Sequence, residues 1–181
     1  SAVEGWYQNR YGVTLQDDEI LSLAGSQEGF AHVALTLCDP GDVVLVPNPG
    51  YPVFEAGPFL NDAKIAYYEL DKTNHYAPAL DKIPEELAQK AKMMVISYPL
   101  NPTCTCIEKA DYEKIIAFAK KYHIAIIHDN AYSEIEYDGR TGFSFLSVPG
   151  AKEVGIEFNS LSKTYNLTGI RISFALGNKE L

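Results

Sequence analysis

Chemistry is written most plainly in Ser160-Leu161-Ser162-Lys163-Thr164-Tyr165-Asn166-Leu167-Thr168-Gly169-Ile170-Arg171. One lysine sits among small hydroxyl side chains, just past an apolar stretch. That is not how a solvated surface charge is usually placed. A partly buried lysine gives up its proton more readily and can then attack a carbonyl carbon. Ser160 and Arg171 contribute a hydroxyl and a guanidinium, donors that suit a phosphate. A second feature is Ile126-Ile127-His128-Asp129-Asn130-Ala131-Tyr132. A carboxylate directly after a buried strand lies in low dielectric and needs a cation or a hydrogen-bond donor. A third is Ala24-Gly25-Ser26-Gln27-Glu28. Ser26 is expected to cap a helix whose free N–H groups favour an anion. All three lie at predicted C-terminal ends of strands, where open α/β sheets bind ligands.

Other chemistries lose their support. No G-x-G-x-x-G follows a strand, and no G-x-x-x-x-G-K-[ST], H-E-x-x-H or G-x-S-x-G occurs. His32, His75, His123 and His128 lack ligand-like spacing, so they read as surface or core residues and no metal site is expected. Cys38, Cys104 and Cys106 form no C-x-x-C pair. Cys104 and Cys106 would point to opposite sides of an extended chain, so free thiols in a reducing, cytoplasmic compartment are expected. Asn166-Leu167-Thr168 has the form of a glycosylation sequon and is read as chance.

Elements that could position these groups follow from hydrophobic patterning. Val43–Val46, Met93–Ile96 and Ile124–Ile127 are short, apolar and rich in branched residues, as strands buried on both faces are. Ala63–Leu70, Gly155–Ser160 and Arg171–Gly177 are weaker strand candidates. After Ser26, the residues Phe30, Val33, Ala34 and Leu37 repeat at helical spacing. Pro84 suits a first helical turn before Glu85-Glu86-Leu87-Ala88. A further helix is expected from about Glu108 to Tyr122, entered through Thr105-x-x-Glu108 as a capping box or starting at Glu108 itself. Strands alternating with helices imply an α/β fold, a three-layer sandwich around a mostly parallel sheet.

The chain has 181 residues, with 15 Lys and Arg against 24 Asp and Glu, a net charge of −9. With 46% hydrophobic residues it can bury the core of one domain. The acidic balance argues against a nucleic-acid or anionic-membrane partner. No apolar run approaches the roughly 20 residues of a membrane span, and no signal-peptide pattern opens the chain. Residues 2–11 read as a helix already under way and closed by Gly12. Asn178 to Leu181 read as the start of another helix, so both ends are expected to be cuts in a longer protein.

These features together resemble the class I/II aminotransferases of the aspartate-aminotransferase superfamily, pyridoxal-phosphate fold type I, over essentially the whole chain. Asn101-Pro102-Thr103 and Pro49-Gly50-Tyr51-Pro52 add order and spacing to the three features above. The resemblance implies pyridoxal 5'-phosphate as cofactor. It implies Lys163 as the lysine that binds the cofactor covalently and moves protons, and Asp129 as the partner of the pyridine nitrogen. Asn101 and Tyr132 match the pair that bonds the phenolic oxygen, and Tyr51 the aromatic that stacks on the ring. Ser26, Gln27, Ser160 and Arg171 match the phosphate cup, with Ser162 a further contact.

It further implies residues 1–181 as a truncated cofactor-binding large domain, without the small domain or the substrate-carboxylate arginine. One antiparallel strand and a homodimer are expected. The implied activity is transfer of an amino group between an amino acid and a 2-oxo acid, with the fragment alone inactive. Alternatives are a C–S β-lyase, or the aminotransferase-like sensor domain of a transcriptional regulator. Cys104 stands where the family often has glycine, which puts the local loop geometry in question. A cis peptide is expected at Asn101-Pro102, and Asn48-Pro49 is a weaker candidate.

Overall fold

The computed structural model describes residues 1–181. Seven strands form one sheet: β1 (Ile20–Leu23), β2 (Val43–Asn48), β3 (Lys64–Glu69), β4 (Ala91–Ser97), β5 (Ala125–Asp129), β6 (Gly155–Ser160) and β7 (Ser173–Gly177). Their order is β1-β7-β6-β5-β4-β2-β3. The β2–β3, β2–β4, β4–β5 and β5–β6 pairs are parallel. β7 runs antiparallel to both of its neighbours, β1 and β6, so it is the one reversed strand, as expected.

Helices cover both faces. On one side α1 (Ala2–Tyr11), α5 (Lys109–Tyr122) and α6 (Ala151–Val154) close over 23 buried residues, among them Leu45, Met94, Ile96 and Ile126. On the other, α2 (Ser26–Leu37) and α3 (Val53–Leu60) close over 12, among them Val44, Val46, Met93, Val95 and Ile127. Consecutive strand residues thus alternate between two cores. That is why the central strands read as unbroken apolar runs. Two shorter helices, α4 (Glu85–Lys90) and α7 (Leu161–Thr164), lead into β4 and out of β6.

Several boundaries differ from expectation. Gly25 is the N-cap of α2 and Ser26 its first residue, so the Ser26 hydroxyl makes no capping bond. Pro84 is the N-cap of α4 rather than part of its first turn. α5 starts after Glu108, whose N–H is accepted by the Asp111 carboxylate at 3.3 Å. Thr105 takes no part in that cap and bonds Thr103 instead. α3 has no counterpart among the expected elements, and β1 is the strand expected before Ala24 without a range. β1 is only four residues long, and α3 hides behind Gly57 and Pro58. Gly57 is required there, because a Cβ would lie 2.5 Å from the Phe30 carbonyl on α2. α1 ends as expected at Gly12, with φ 67°. Asn178 to Leu181 form a turn in which Asn178 Oδ1 accepts from the N–H groups of Glu180 and Leu181.

Asn101-Pro102 and Asn48-Pro49 are both cis, and so is Tyr98-Pro99, which was not expected. Cys104 adopts φ 59°, the left-handed conformation that glycine would favour. Its N–H donates to the Leu100 carbonyl at 2.7 Å and closes the loop. The three thiols are free. No helix is long and apolar enough to cross a membrane.

Candidate active site

Register brings the candidate residues to one rim of the sheet. Ser97 at the end of β4 pairs with Asp129 at the end of β5. Asp129 pairs in turn with Phe158 of β6. Ser160 closes β6 opposite Ser173, which opens β7 opposite Leu23 of β1. The segments that leave these strands carry Asn101, Tyr132, Lys163 and Ser26, and Arg171 lies two residues before β7. Parallel strands have their C-terminal ends together, so motifs far apart in the chain share one edge.

Asp129 is the buried charge of this edge. Burial pushes its carboxyl up to about 6, against the opposing influence of His128, the Ala131 N–H and Lys163. Its Oδ1 is buried and has no hydrogen-bond partner. A carboxylate oxygen left in that state lacks a donor that a ligand could bring. Beside it, burial raises the Tyr132 hydroxyl, with the charges of Asp129 and Tyr51 adding to the rise and the Asn101 side chain opposing it. Asn101, Tyr132 and Cys104 also line a cavity of about 750 Å³.

Lys163 follows β6 in the single turn of α7. Its Nζ lies 5.9 Å from the centre of the Tyr132 ring. The burial expected for it is not observed: the residue is exposed at the open end of the sheet. The hydroxyl of Ser160 accepts from the Ser162 N–H at 3.2 Å and caps α7, which fixes where the lysine leaves the strand.

The candidate anion-binding elements also meet. Gly25 has φ 92°, and a Cβ there would lie 1.9 Å from Arg171 Nη2. The Arg171 guanidinium therefore rests against the start of α2, with Nη1 donating to the Thr168 carbonyl at 3.0 Å. Two positive features, a guanidinium and a helix N-terminus, are held together with no carboxylate in ion-pair contact with Arg171. Gln27 Nε2 donates to the Tyr51 hydroxyl at 2.6 Å, which ties the same helix start to the aromatic ring. The rim thus carries a guanidinium set against a helix N-terminus, a lone carboxylate oxygen and an exposed amine.

The profile of the aminotransferase class I and II family matches residues 1–181. The chain belongs to this family. Among similar curated proteins is the LL-diaminopimelate aminotransferase of Syntrophobacter fumaroxidans, 46% identical over 181 residues, covering 99% of this chain and 47% of the relative. That of Moorella thermoacetica is 47% identical, covering 99% and 46%. Apo-BacF from Bacillus subtilis superposes with a TM-score of 0.97 at 40% identity, covering 99% of this chain and 46% of that one. An aminotransferase from Staphylococcus aureus gives 0.95 at 38%, covering 99% and 47%. The chain spans about half the length of the curated relatives it matches. Members of the class I and II family use pyridoxal phosphate, and the residues at the rim fit it: an orphaned carboxylate oxygen for the ring nitrogen, and a guanidinium set against the helix N-terminus at Gly25 for the phosphate.

Four residues of consequence escaped sequence reasoning: Gly25, His128, Asn130 and Glu157. Gly25 lay inside a motif that had been read for its serine. Glu157 carried a signal of its own, an acid in the middle of Gly155-Ile156-Glu157-Phe158, a segment otherwise apolar.

Proposed function

We propose that this chain is the cofactor-binding large domain of a pyridoxal-phosphate aminotransferase that moves an amino group between an amino acid and a 2-oxo acid. The observation that carries the reading is the meeting of Asp129, Lys163 and the Gly25–Arg171 cleft on one rim. Bound there, the cofactor supplies an electron sink for the carbanion formed at the substrate α-carbon. Asp129, desolvated and lacking a donor at Oδ1, keeps a proton at the ring nitrogen. Asn101 and Tyr132 donate to the phenolic oxygen, and Tyr51 packs on the ring face. Ser26, Gln27, Ser160 and Arg171 hold the phosphate, with Ser162 beside them. Lys163 Nζ is the covalent anchor and the base at the substrate α-carbon. Its exposure suits a side chain that must swing between those tasks.

The names of the relatives make LL-diaminopimelate the first amino donor to test, against a panel of 2-oxo acids as acceptors. Dimerisation is part of the reading, supported by the exposed apolar side chains Tyr165, Ile170 and Ile172 beside the lysine. So is a reducing, cytoplasmic setting, supported by three free cysteines. The 181-residue chain alone is expected to turn over negligibly, since it spans about half of its relatives and substrate positioning is worth several kcal/mol of barrier. The deciding experiment is incubation with pyridoxal phosphate, borohydride reduction and peptide mapping. The label should fall on Lys163. A label mainly on Lys152, Lys179 or another lysine sinks the assignment.

A further inference from the structure

Glu157 stands in the middle of β6, a strand buried along its whole length, and has no exposed surface. Its carboxylate accepts from Tyr7 Oη at 2.7 Å, Asn130 Nδ2 at 2.9 Å, Ser144 Oγ at 2.9 Å, the Phe145 N–H at 2.9 Å and His128 Nδ1 at 3.0 Å. Burial alone would raise this carboxyl. The bond and charge of His128, then the bonds from Asn130 and Tyr7, bring it below its ordinary value. Glu157 is therefore ionised deep in the sheet. A buried charge is a poor device for stability, because apolar residues of the same volume often do as well. Two of the donors, His128 and Asn130, are the residues on either side of Asp129.

We propose that Glu157 is a positioning residue for Asp129: it clamps His128 and Asn130, the residues on either side, and so holds the Asp129 carboxyl in its water-excluded place at the rim. This rests on Asp129 being the partner of the ring nitrogen. The titratable groups that face Glu157 are Tyr7 and Tyr11 from α1, His128 from β5 and Tyr112 from α5. Those that face Asp129 are His128, Glu157, Lys163 and Tyr132. The buried tyrosines are pushed up by burial and stay neutral near pH 7.

The cofactor-free protein gives the test. Carbon-13 labelling of aspartate carboxyls, with Asp129 assigned by its loss in Asp129→Asn, reads the Asp129 titration directly. Burial should place the wild-type midpoint at about 6. Glu157→Gln loosens the clamp and lets water reach Asp129, so the midpoint should fall toward the ordinary carboxylate value, while Tyr7→Phe, which keeps the bonds to His128 and Asn130, should leave it in place. A folded Glu157→Gln with an unmoved midpoint overturns the proposal, as does an equal fall in Tyr7→Phe. If Glu157→Gln does not fold, Asn130→Ala decides. It removes one jaw of the clamp, so the Asp129 midpoint must then fall, and no fall overturns the proposal. Borohydride labelling of Lys163 is scored separately. A protein that shows the shift but takes no label keeps the Glu157–Asp129 coupling and loses the cofactor reading. A label without the shift does the reverse.

Discussion

The Arg171 guanidinium occupies the space where a side chain on Gly25 would begin, with Nη2 1.9 Å from the site of a Cβ. Gly25→Ala should therefore act twice. At φ 92° an L side chain is strained, by about 1–3 kcal/mol. The methyl group must also push the guanidinium out of the cleft. Weaker binding of pyridoxal phosphate is expected, together with a lower unfolding midpoint. Absorbance titration and thermal melting measure the two. A variant that is destabilised but binds the cofactor as tightly as wild type would show that Arg171 does not hold the phosphate.

The start of α2 is aimed from below by Phe158. Its ring packs edge-on against Phe30 at 4.7 Å, and Gly29 passes so close that a Cβ would come within 2.9 Å of Phe158 Cζ. Phe158→Ala should cost about 3–5 kcal/mol of unfolding free energy, the usual range for deleting a buried ring. Denaturant unfolding gives the number. A loss below about 1 kcal/mol would mean that α2 settles onto the sheet without the ring.

Much of this was legible in the sequence because parallel sheets convert chain position into spatial position. Asp129, Lys163, Ser26 and Asn101 each follow a strand, so naming the strands named the rim. What could not be read was pairwise. Burial of Lys163 was inferred from its hydroxyl neighbours, but α7 turns after one coil and leaves the amine at the open edge. The reach of Arg171 to Gly25 depends on β7 lying between β1 and β6, an order that no local pattern states. Glu157 was visible as an acid in an apolar strand, yet its meaning depends on donors from Tyr7, 150 residues away in sequence.

On the proposed reading, Lys163 and the phosphate cup would hold the cofactor by separate means, one covalent and one electrostatic. Lys163→Ala should abolish the borohydride-fixed label yet leave reversible binding, weaker but measurable by equilibrium dialysis. Arg171→Ala should do the opposite, lowering affinity while any cofactor that binds still labels Lys163. If Lys163→Ala binds no cofactor at all, the cup is not an independent site.

Asp129 ties function to stability through pH. Its folded-state value is about 6, raised above the ordinary 3.8 chiefly by burial. The folded protein therefore binds this proton more tightly than the unfolded chain does. The sign follows by linkage: the contribution is fully present below about pH 3.8 and is lost as pH rises through 6. Its size is about 3 kcal/mol, from two pH units at 1.36 kcal/mol each. In cofactor-free protein, Asp129→Asn stays neutral at every pH and should lose this dependence. Unfolding free energies by urea at pH 5 and pH 7.5 should then differ less in the variant than in wild type, with the variant the more stable at pH 7.5. Pyridoxal phosphate should cancel that advantage, because a protonated ring nitrogen gives the ionised Asp129 the donor that Oδ1 lacks. Equal pH dependence in the two proteins would mean that water reaches the carboxylate and that the rim does not desolvate it.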